Sequence, residues 1–196
     1  MHRADLVTGA AQSGGRPPAD GDLRLVQDFV NTLDREHGND LLDGTDGLAA
    51  WLEHRGLDAD GLRPRDVARA VEVREALRAL LLANNGGPAA PEAHAVLEDA
   101  ARRAGLAPVF GEAALVPAAG GVDGALGRLV AIVHGAVADG TWAHLKACER
   151  EPCRWVFYDH SKNHSGRWCD MQACGAREKS ARAYRRRRDR ESAKRS

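Results

Sequence analysis

The sequence lacks the features that mark many enzymes and membrane proteins. It contains no Gly-rich phosphate loop, no Gly-x-Ser-x-Gly elbow and no His-Glu-x-x-His pair, so it does not predict an enzyme. No apolar run approaches the length of about 18 residues that a membrane-spanning helix needs. No charged-then-apolar leader of the signal-peptide type is present. We therefore expect a cytoplasmic protein without a membrane span.

Acidic and basic residues are separated along the chain, although the formal net charge is zero. From Lys146 onward there are 15 Lys/Arg and 7 Asp/Glu, whereas residues 1–145 hold 13 Lys/Arg and 21 Asp/Glu. A basic end on an acidic body is typical of a protein whose basic end faces nucleic acid. In the absence of DNA, the acidic body could equally dock on the basic end.

Cysteine is missing from residues 1–147, and all four cysteines then fall within 27 residues. They form two pairs of equal spacing, Cys148-x4-Cys153 and Cys169-x4-Cys174, and 15 residues lie between the pairs. Two closely spaced cysteine pairs with such a spacer can place four thiolates around one ion, and Zn²⁺ favours tetrahedral coordination by four thiolates. We predict one structural Zn²⁺ bound by all four cysteines. A disulfide or a thiol redox function is the alternative.

The segment between the two pairs is predicted to form a hairpin. Residues 154–158 are aromatic and β-branched with period-two alternation, residues 159–166 are rich in turn formers, and residues 167–168 would begin the return strand. His160 and His164 lie in the turn. We interpret them as loop residues, because four cysteines already complete the zinc site.

A basic segment follows Cys174 directly, and its spacing predicts a helix. One face, which we expect to pack on the zinc site, carries Ala176, Ser180, Ala183 and Tyr184. The opposite face is cationic and suits phosphates or the major groove. The predicted DNA contacts, including two supporting arginines, are Arg167, Arg177, Lys179, Arg182, Arg185 and Arg186. The alternative is a solvated helix end that continues into a disordered basic tail.

The preceding residues read as a helical body. Residues 1–21 are rich in Gly and Pro and predict a flexible leader, with a short strand at Leu6–Val7 as an alternative. Helical spacing and capping signals predict helices over 23–34 (with Asp22 as the cap), 48–57, 64–84, 91–104 and 122–137. Two short apolar runs, 106–110 and 113–117, predict a small β-hairpin.

Polar residues within the first and third helices raise the question of a ligand site. Asp28, Asn31 and Thr32 fall inside the first helix, and Arg74 lies on or beside the apolar stripe of the helix over 64–84. We interpret these four residues as a candidate effector cleft; structural hydrogen bonding is the alternative. Arg74 would either extend to solvent or meet an acidic partner such as Asp28.

Two stretches resemble known bacterial families. The end of the chain resembles the CGNR zinc finger through Cys153-Arg154-Trp155-Val156-Phe157-Tyr158-Asp159, Ser161-Lys162-Asn163 and Arg167-Trp168-Cys169, with Cys174-Gly175-Ala176-Arg177 at the signature tetrapeptide. The body resembles the ABATE domain of stress-linked actinobacterial regulators through Leu25-x-x-Asp28-Phe29-Val30-Asn31-Thr32-Leu33 and Trp51-Leu52. The resemblance implies zinc binding, DNA binding and transcription regulation by a mostly helical, sensor-like protein.

The expected fold class is mainly α, with a helical N-terminal domain that includes a small β-hairpin, followed by a treble-clef-like unit of zinc-stapled β-hairpin and helix. The expected organisation is a leader (1–21), an ABATE-like domain (22–145), a CGNR-like finger (146–190) and a basic tail (191–196). The expected partners are double-stranded DNA, a small-molecule effector and a second copy of the chain. The rival hypotheses are an RNA-binding or protein-docking zinc module, and a ligand-binding protein with a purely structural zinc.

Overall fold

Helices and short hairpins alternate in the part of the chain that the computed structural model describes, residues 15–111 and 114–193. The body consists of α1 (Leu23–Val30), β1 (Leu33–Asp34), β2 (Asn39–Asp40), α2 (Gly44–His54), α3 (Pro64–Ala83), α4 (Pro91–Ala104), β3 (Ala107–Val109), β4 (Ala114–Val116) and α5 (Gly121–Asp139). The finger consists of a 3-10 turn (Thr141–His144), β5 (Leu145–Ala147), β6 (Val156–Tyr158), a π-helical turn (Met171–Gly175) and α6 (Ala176–Ala193). The predicted fold class is confirmed.

The apolar spacing of the sequence determines how the body helices pack. The central helix α3 contributes Ala70, Leu77 and Leu81, which are fully buried. It packs against α1, α4 and α5, so the apolar stripes of these helices share one core. On α2, Trp51 is buried beside Phe29 of α1, with ring centroids 5.2 Å apart. Trp51 is therefore the core anchor that an isolated tryptophan in a helix usually is.

Helix α1 ends earlier than predicted. It stops at Val30 rather than continuing to residue 34, and the chain turns into the β1–β2 hairpin, in which Leu33 lies opposite Asp40. The Thr32 hydroxyl donates to the carbonyl of Phe29 at 2.8 Å, and such local bonds compete with helical ones. The predicted cap also differs, since the Asp22 side chain accepts no capping hydrogen bond.

Helix α5 is long and apolar enough, by length and composition, to cross a membrane. Half of its most apolar window is buried within the fold, where Leu126, Leu129 and Val133 face the core. It packs against α4, α1 and α3, which is the behaviour of a core helix.

The hairpin of the finger has a different strand partner from the predicted one. Strand β6 pairs antiparallel with β5, Ala147 opposite Val156, and not with residues 167–168. The turn of the hairpin is therefore the short segment that carries Cys148 and Cys153. Sequence reasoning missed β5 because three residues carry too little alternation to predict a strand. Arg167 instead binds through its backbone carbonyl, which accepts from the amide of Glu149 at 2.9 Å.

Body and finger share one hydrophobic core. A single buried cluster runs from α1 and α3 through Leu145, Val156 and Phe157 to the four cysteines. Residues 15–21, predicted as part of a flexible leader, also join the two units: the amide of Ala19 donates to Gln27 Oε1 of the body at 2.7 Å, and Arg16 Nε donates to Cys169 O of the finger at 2.9 Å. Residues 1–14, with the alternative strand at Leu6–Val7, lie outside the described residues.

Candidate metal centre

The four cysteines converge on one point. Their Sγ atoms all lie within 4.8 Å of one another, and all four residues are buried. The Cys153–Cys169 and Cys169–Cys174 Sγ pairs are 3.6 and 3.7 Å apart. A tetrahedral site with Zn–S bonds of about 2.3 Å requires sulfur separations of about 3.8 Å, so the donor set fits Zn²⁺ closely. The prediction of one structural zinc is confirmed, and these four residues form the buried donor set that fits it.

Cys148 and Cys153 are held by the tight turn between β5 and β6. The amides of Cys153 and Arg154 both donate to the carbonyl of Arg150 at 3.1 Å, and the amide of Cys148 donates to Trp155 O at 2.9 Å. Arg154 has φ = 49°, an uncommon conformation for a non-glycine residue. Its guanidinium donates to the carbonyls of Cys148 and Glu149, which ties the turn together.

Cys169 and Cys174 flank the turn that begins α6. The carboxylate of Asp170 accepts hydrogen bonds from the amides of Gln172 and Ala173, at 2.7 and 3.0 Å, and so caps the π-helical turn. Gly175 is buried there, where a Cβ atom would lie 2.8 Å from the sulfur of Met171. The second half of the metal site is therefore part of the first turns of the terminal helix.

The electrostatics of the cluster favour a bound cation. Hydrogen bonding from the neighbouring thiols lowers the pKa of Cys148, and the same contacts raise the pKa of Cys153 and Cys169. Without a cation, one thiolate is thus stabilised at the expense of the others, because like charges in contact repel. Four thiolates at these distances need a metal ion for charge balance. The Arg150 Nε atom donates to Cys174 Sγ at 3.3 Å and supplies part of that balance.

The loop after β6 is organised by a buried carboxylate. Asp159 is fully buried, and its Oδ2 atom accepts from Lys146 Nζ at 3.0 Å and from the amide of Gly166 at 2.7 Å. Its Oδ1 atom accepts from the hydroxyl of Ser161 at 2.7 Å. Although burial alone would raise it, these hydrogen bonds and the Lys146 charge hold the pKa of Asp159 well below its usual range. The loop that leads back to Cys169 is therefore fixed at its base.

Four polar side chains connect the body to the finger and bind mainly backbone groups. We call this set, which consists of Gln27, Asn31, Arg78 and Asn85, the joint. The Asn31 amide donates to Val156 O at 2.9 Å and accepts from Val156 N at 2.8 Å, so it pairs with the open edge of β6. Gln27 donates to the same carbonyl at 3.2 Å. Arg78 donates to the carbonyls of Arg154 and Val30. Asn85 donates to Ala147 O and Arg167 O, both at 2.8 Å.

The candidate effector residues are all buried and engaged within the protein. Asp28 binds Arg24 and Arg55, and burial raises its pKa despite these two cations. Arg74 donates to Asp40, Glu75 and Thr32, so its acidic partners are Asp40 and Glu75 and not Asp28. Asn31 holds the finger, as described above. These four side chains are thus engaged in hydrogen bonds within the protein where the sequence suggested a cleft.

Two cavities lie elsewhere, between α3, α4 and α5. Their volumes are about 260 and 520 Å³, and both are lined in part by Arg69, Arg103 and Asp123. None of the four candidate effector residues lines either cavity. Arg69 is paired with Asp66 and Asp123, and Arg103 is paired with Asp99, so each arginine that lines both cavities already has an acidic partner.

Helix α6 is exposed on nearly all sides, which differs from the predicted docking of its small-residue face. Ala176, Ser180 and Ala183 are exposed, and Tyr184 is 64% exposed. The helix is attached mainly through the turn that carries Cys174. A side chain as small as Ala or Ser offers little apolar area, so the predicted face has little to gain from burial.

The six predicted DNA-contacting residues all lie on the surface, and several are paired with glutamates. Arg167 and Arg182 both reach Glu149, and Arg182 and Arg185 both reach Glu178. Arg177 pairs with Glu36 of the body. Lys179 and Arg186 have no ion-pair partner among residues 15–111 and 114–193.

Aromatic and histidine side chains of the finger are mostly structural. In the RNA-binding alternative, Trp155, Tyr158 and Trp168 would stack on unpaired bases. Trp155 and Tyr158 are only 5% and 8% exposed and Trp168 is half-buried, which counts against that alternative. His160 Nε2 and His164 Nδ1 donate hydrogen bonds to the carbonyls of Pro18 and Asp159, and neither histidine belongs to the metal-binding group. This agrees with their interpretation as loop residues.

Several residues that build the site were not singled out from the sequence. They are Gln27, Glu36, Arg78, Asn85, Lys146, Arg150 and Asp159. Two had a signal: Arg78 lies one turn after Arg74 on the apolar side of α3, and Asp159 begins a turn-rich segment after a strand. The others act on backbone groups of distant segments, which a single sequence does not reveal.

The fold and the site together define a helical domain that shares one hydrophobic core with a four-cysteine zinc finger. The family model of the CGNR zinc finger matches residues 144–188, and the ABATE model, described as "Putative stress-induced transcription regulator", matches residues 23–145. The chain therefore belongs to the ABATE family and ends in a CGNR zinc finger, as the resemblance implied. Neither description names an enzymatic activity. No curated protein gives a significant match to the chain.

Proposed function

We propose that this protein is a cytoplasmic, DNA-binding transcription regulator in which α6 is the DNA-contacting element. The observation that carries the proposal is the combination of exposure and charge on this helix. It holds 8 Lys/Arg and 3 Asp/Glu over residues 176–193, and its described side chains beyond the first turns are almost all exposed. Burial would stabilise this helix little, because it is polar on all sides. We therefore infer that its role is to bind a partner.

The position of α6 suits this role. It begins at the zinc ligand Cys174, and the zinc site is built into the body, so the helix start is fixed relative to the whole protein. Lys179 and Arg186 lie seven residues apart and so share one face of the helix. Since they have no partner within the described ranges, they are available for phosphates without first breaking an ion pair.

A titration of zinc-loaded protein with a random DNA duplex and an unstructured RNA, at several salt concentrations, tests the proposal. Lys179→Ala/Arg186→Ala should reduce the salt slope by about 2 and weaken duplex binding by on the order of 50-fold at 0.1 M salt. Arg102→Ala/Arg103→Ala on α4 is the matched control, because it removes two exposed arginines from the body. A duplex affinity that does not fall as the salt concentration rises would contradict the proposal, and so would tighter binding to the RNA than to the duplex.

The proposal also includes a second copy of the chain on DNA. One finger with a single helix covers little DNA, and regulators of this size commonly bind paired half-sites as dimers. Light scattering of the zinc-loaded protein, with and without duplex, measures this directly. A stoichiometry of one chain per specific site would exclude the dimer.

A further inference from the structure

A carboxylate of the body lies between two arginines of the finger. Glu36 is in the turn between β1 and β2, where the Asp34 side chain accepts from the amides of Glu36 and His37 at 3.1 and 3.2 Å. These bonds fix the turn. One Glu36 carboxylate oxygen binds Arg177 Nη1 at 2.5 Å, and the other binds an Nη atom of Arg150.

The two arginines form an anion site on the finger. Arg150 belongs to the turn that carries Cys153, and Arg177 belongs to the first turn of α6. The Arg150 side chain is 13% exposed and is oriented by its bond to Cys174, whereas the Arg177 side chain is 60% exposed. Guanidinium groups bind carboxylates and phosphates in the same forked geometry. A site that holds a carboxylate here also has the chemistry to hold a phosphate.

The geometry of α6 points to the nucleic-acid backbone as the source of that phosphate. A helix in the major groove, which is about 12 Å wide, has phosphates on both sides. Lys179 and Arg186 lie on one side of α6, and Arg177 and Arg188, eleven residues apart, share the opposite side. If Lys179 and Arg186 contact the phosphates on one side of the groove, Arg177 therefore lies beside the phosphates on the other side.

We propose that the Arg150–Arg177 site binds a phosphate of the DNA backbone, and that Glu36 occupies this site in the free protein. The inference rests on the proposed function. DNA binding then exchanges a carboxylate for a phosphate at this site and releases the β1–β2 turn from the finger. Glu36 lowers the DNA affinity, because one phosphate contact must displace it.

The experiment measures duplex affinity and its salt dependence for three variants by fluorescence anisotropy. Glu36→Gln removes the charge and keeps the shape of the side chain, and Glu36→Gln/Arg177→Ala removes the site as well. Glu98→Gln, at an exposed position of α4, makes the same change in net charge away from the finger. Zinc content and thermal midpoint are measured for each variant.

Glu36→Gln is expected to bind duplex up to about eightfold more tightly than the Glu98→Gln control at 0.1 M salt, with a salt slope steeper by about 1. The gain should vanish in the double variant. Equal or weaker binding by Glu36→Gln overturns the inference alone, provided the wild type binds duplex. Loss of zinc from Glu36→Gln also overturns it, because an occupant that DNA displaces cannot be required for the metal. If neither protein binds duplex, the proposed function and the inference both fail.

Discussion

Asn31→Ala is expected to destabilise the whole chain, because this side chain joins α1 to the open edge of β6. The variant loses two hydrogen bonds, of 2.8 and 2.9 Å, in a buried position. Val156 O keeps its bond from Gln27, but Val156 N loses the partner that it has in the structure. A lost bond costs about 0.5–1.5 kcal/mol, and a buried unpaired amide about 1–3 kcal/mol. The sum is about 2–4 kcal/mol, or a fall in Tm of roughly 4–16 °C.

Thermal unfolding followed by circular dichroism, with saturating zinc, measures this change. Asn163→Ala is the matched control, because Asn163 lies in an exposed loop of the same finger. A single transition that moves down for Asn31→Ala and not for Asn163→Ala supports the joint. If the two variants agree within about 0.5 kcal/mol, the Asn31 bonds contribute nothing and the reasoning fails.

Asn31→Asp adds a pH test of the same bonds. An ionised carboxylate can accept from Val156 N but repels Val156 O, whereas a protonated one can make both bonds. Burial therefore raises the pKa of the new group in the folded protein above its unfolded value near 3.9. Between the two pKa values, the folded state binds more protons at this group than the unfolded state does. The free energy of unfolding relative to wild type should therefore fall by up to about 1.4 kcal/mol per pH unit as the pH rises from about 4 towards the pKa of the folded state. A flat difference across pH 4–7 would contradict this.

Three further predictions concern the zinc site and the loop after β6. Removal of zinc by a strong chelator should lower the Tm of the entire chain, including the helical signal, because finger and body share one core. Asp159→Asn should cost about 3–5 kcal/mol at pH 7, because it leaves Lys146 buried without its carboxylate. The pKa of Asp159 is lowered in the folded protein, so the wild type has this stabilisation above about pH 4 and loses it as the pH falls below that value. Gly166→Ala should cost about 1–3 kcal/mol, because its Cβ would lie 2.9 Å from Asp159 Oδ2.

The outcomes that contradict these predictions are specific. A body that melts at the same temperature with and without zinc would show that the two units unfold independently. Asp159→Asn with the stability of the wild type at pH 7 would mean that the carbonyls of His164 and Gly166, which already accept from Lys146, are sufficient to stabilise its charge. A Gly166→Ala variant as stable as a control in an exposed turn, Gly111→Ala, would mean that the loop shifts at no cost, since a Cβ atom on Gly111 would meet open space.

The metal centre could be predicted from the sequence because its ligands are local. Two matched cysteine pairs within 27 residues specify one four-thiolate site, whatever the rest of the chain does. The long body helices could also be predicted: α3 and α4 begin at prolines and carry helical apolar stripes, and their observed bounds agree closely with the predicted ones.

The joint could not be predicted, because it depends on backbone groups that no residue pattern encodes. Asn31 and Asp28 are both polar residues inside an apolar stripe, and their spacing suits a pocket as well as a hydrogen-bonded seam. In the structure Asn31 binds the open edge of β6, and Asp28 binds Arg24 and Arg55, so both side chains have structural hydrogen bonds. The same reason explains the missed strand β5, whose pairing with β6 is visible only in three dimensions.

The attachment of α6 follows from electrostatics more than from side-chain packing. Four thiolates around one Zn²⁺ carry a net charge of −2, and the first turns of a helix present backbone N–H groups and a partial positive charge. The ligand Cys174 lies in the turn that begins α6, so this end of the helix stabilises the thiolates, and Arg150 adds a full charge. The opposite end needs no contact with the fold. Its arginines can therefore remain in solvent, as the proposed contact with DNA requires.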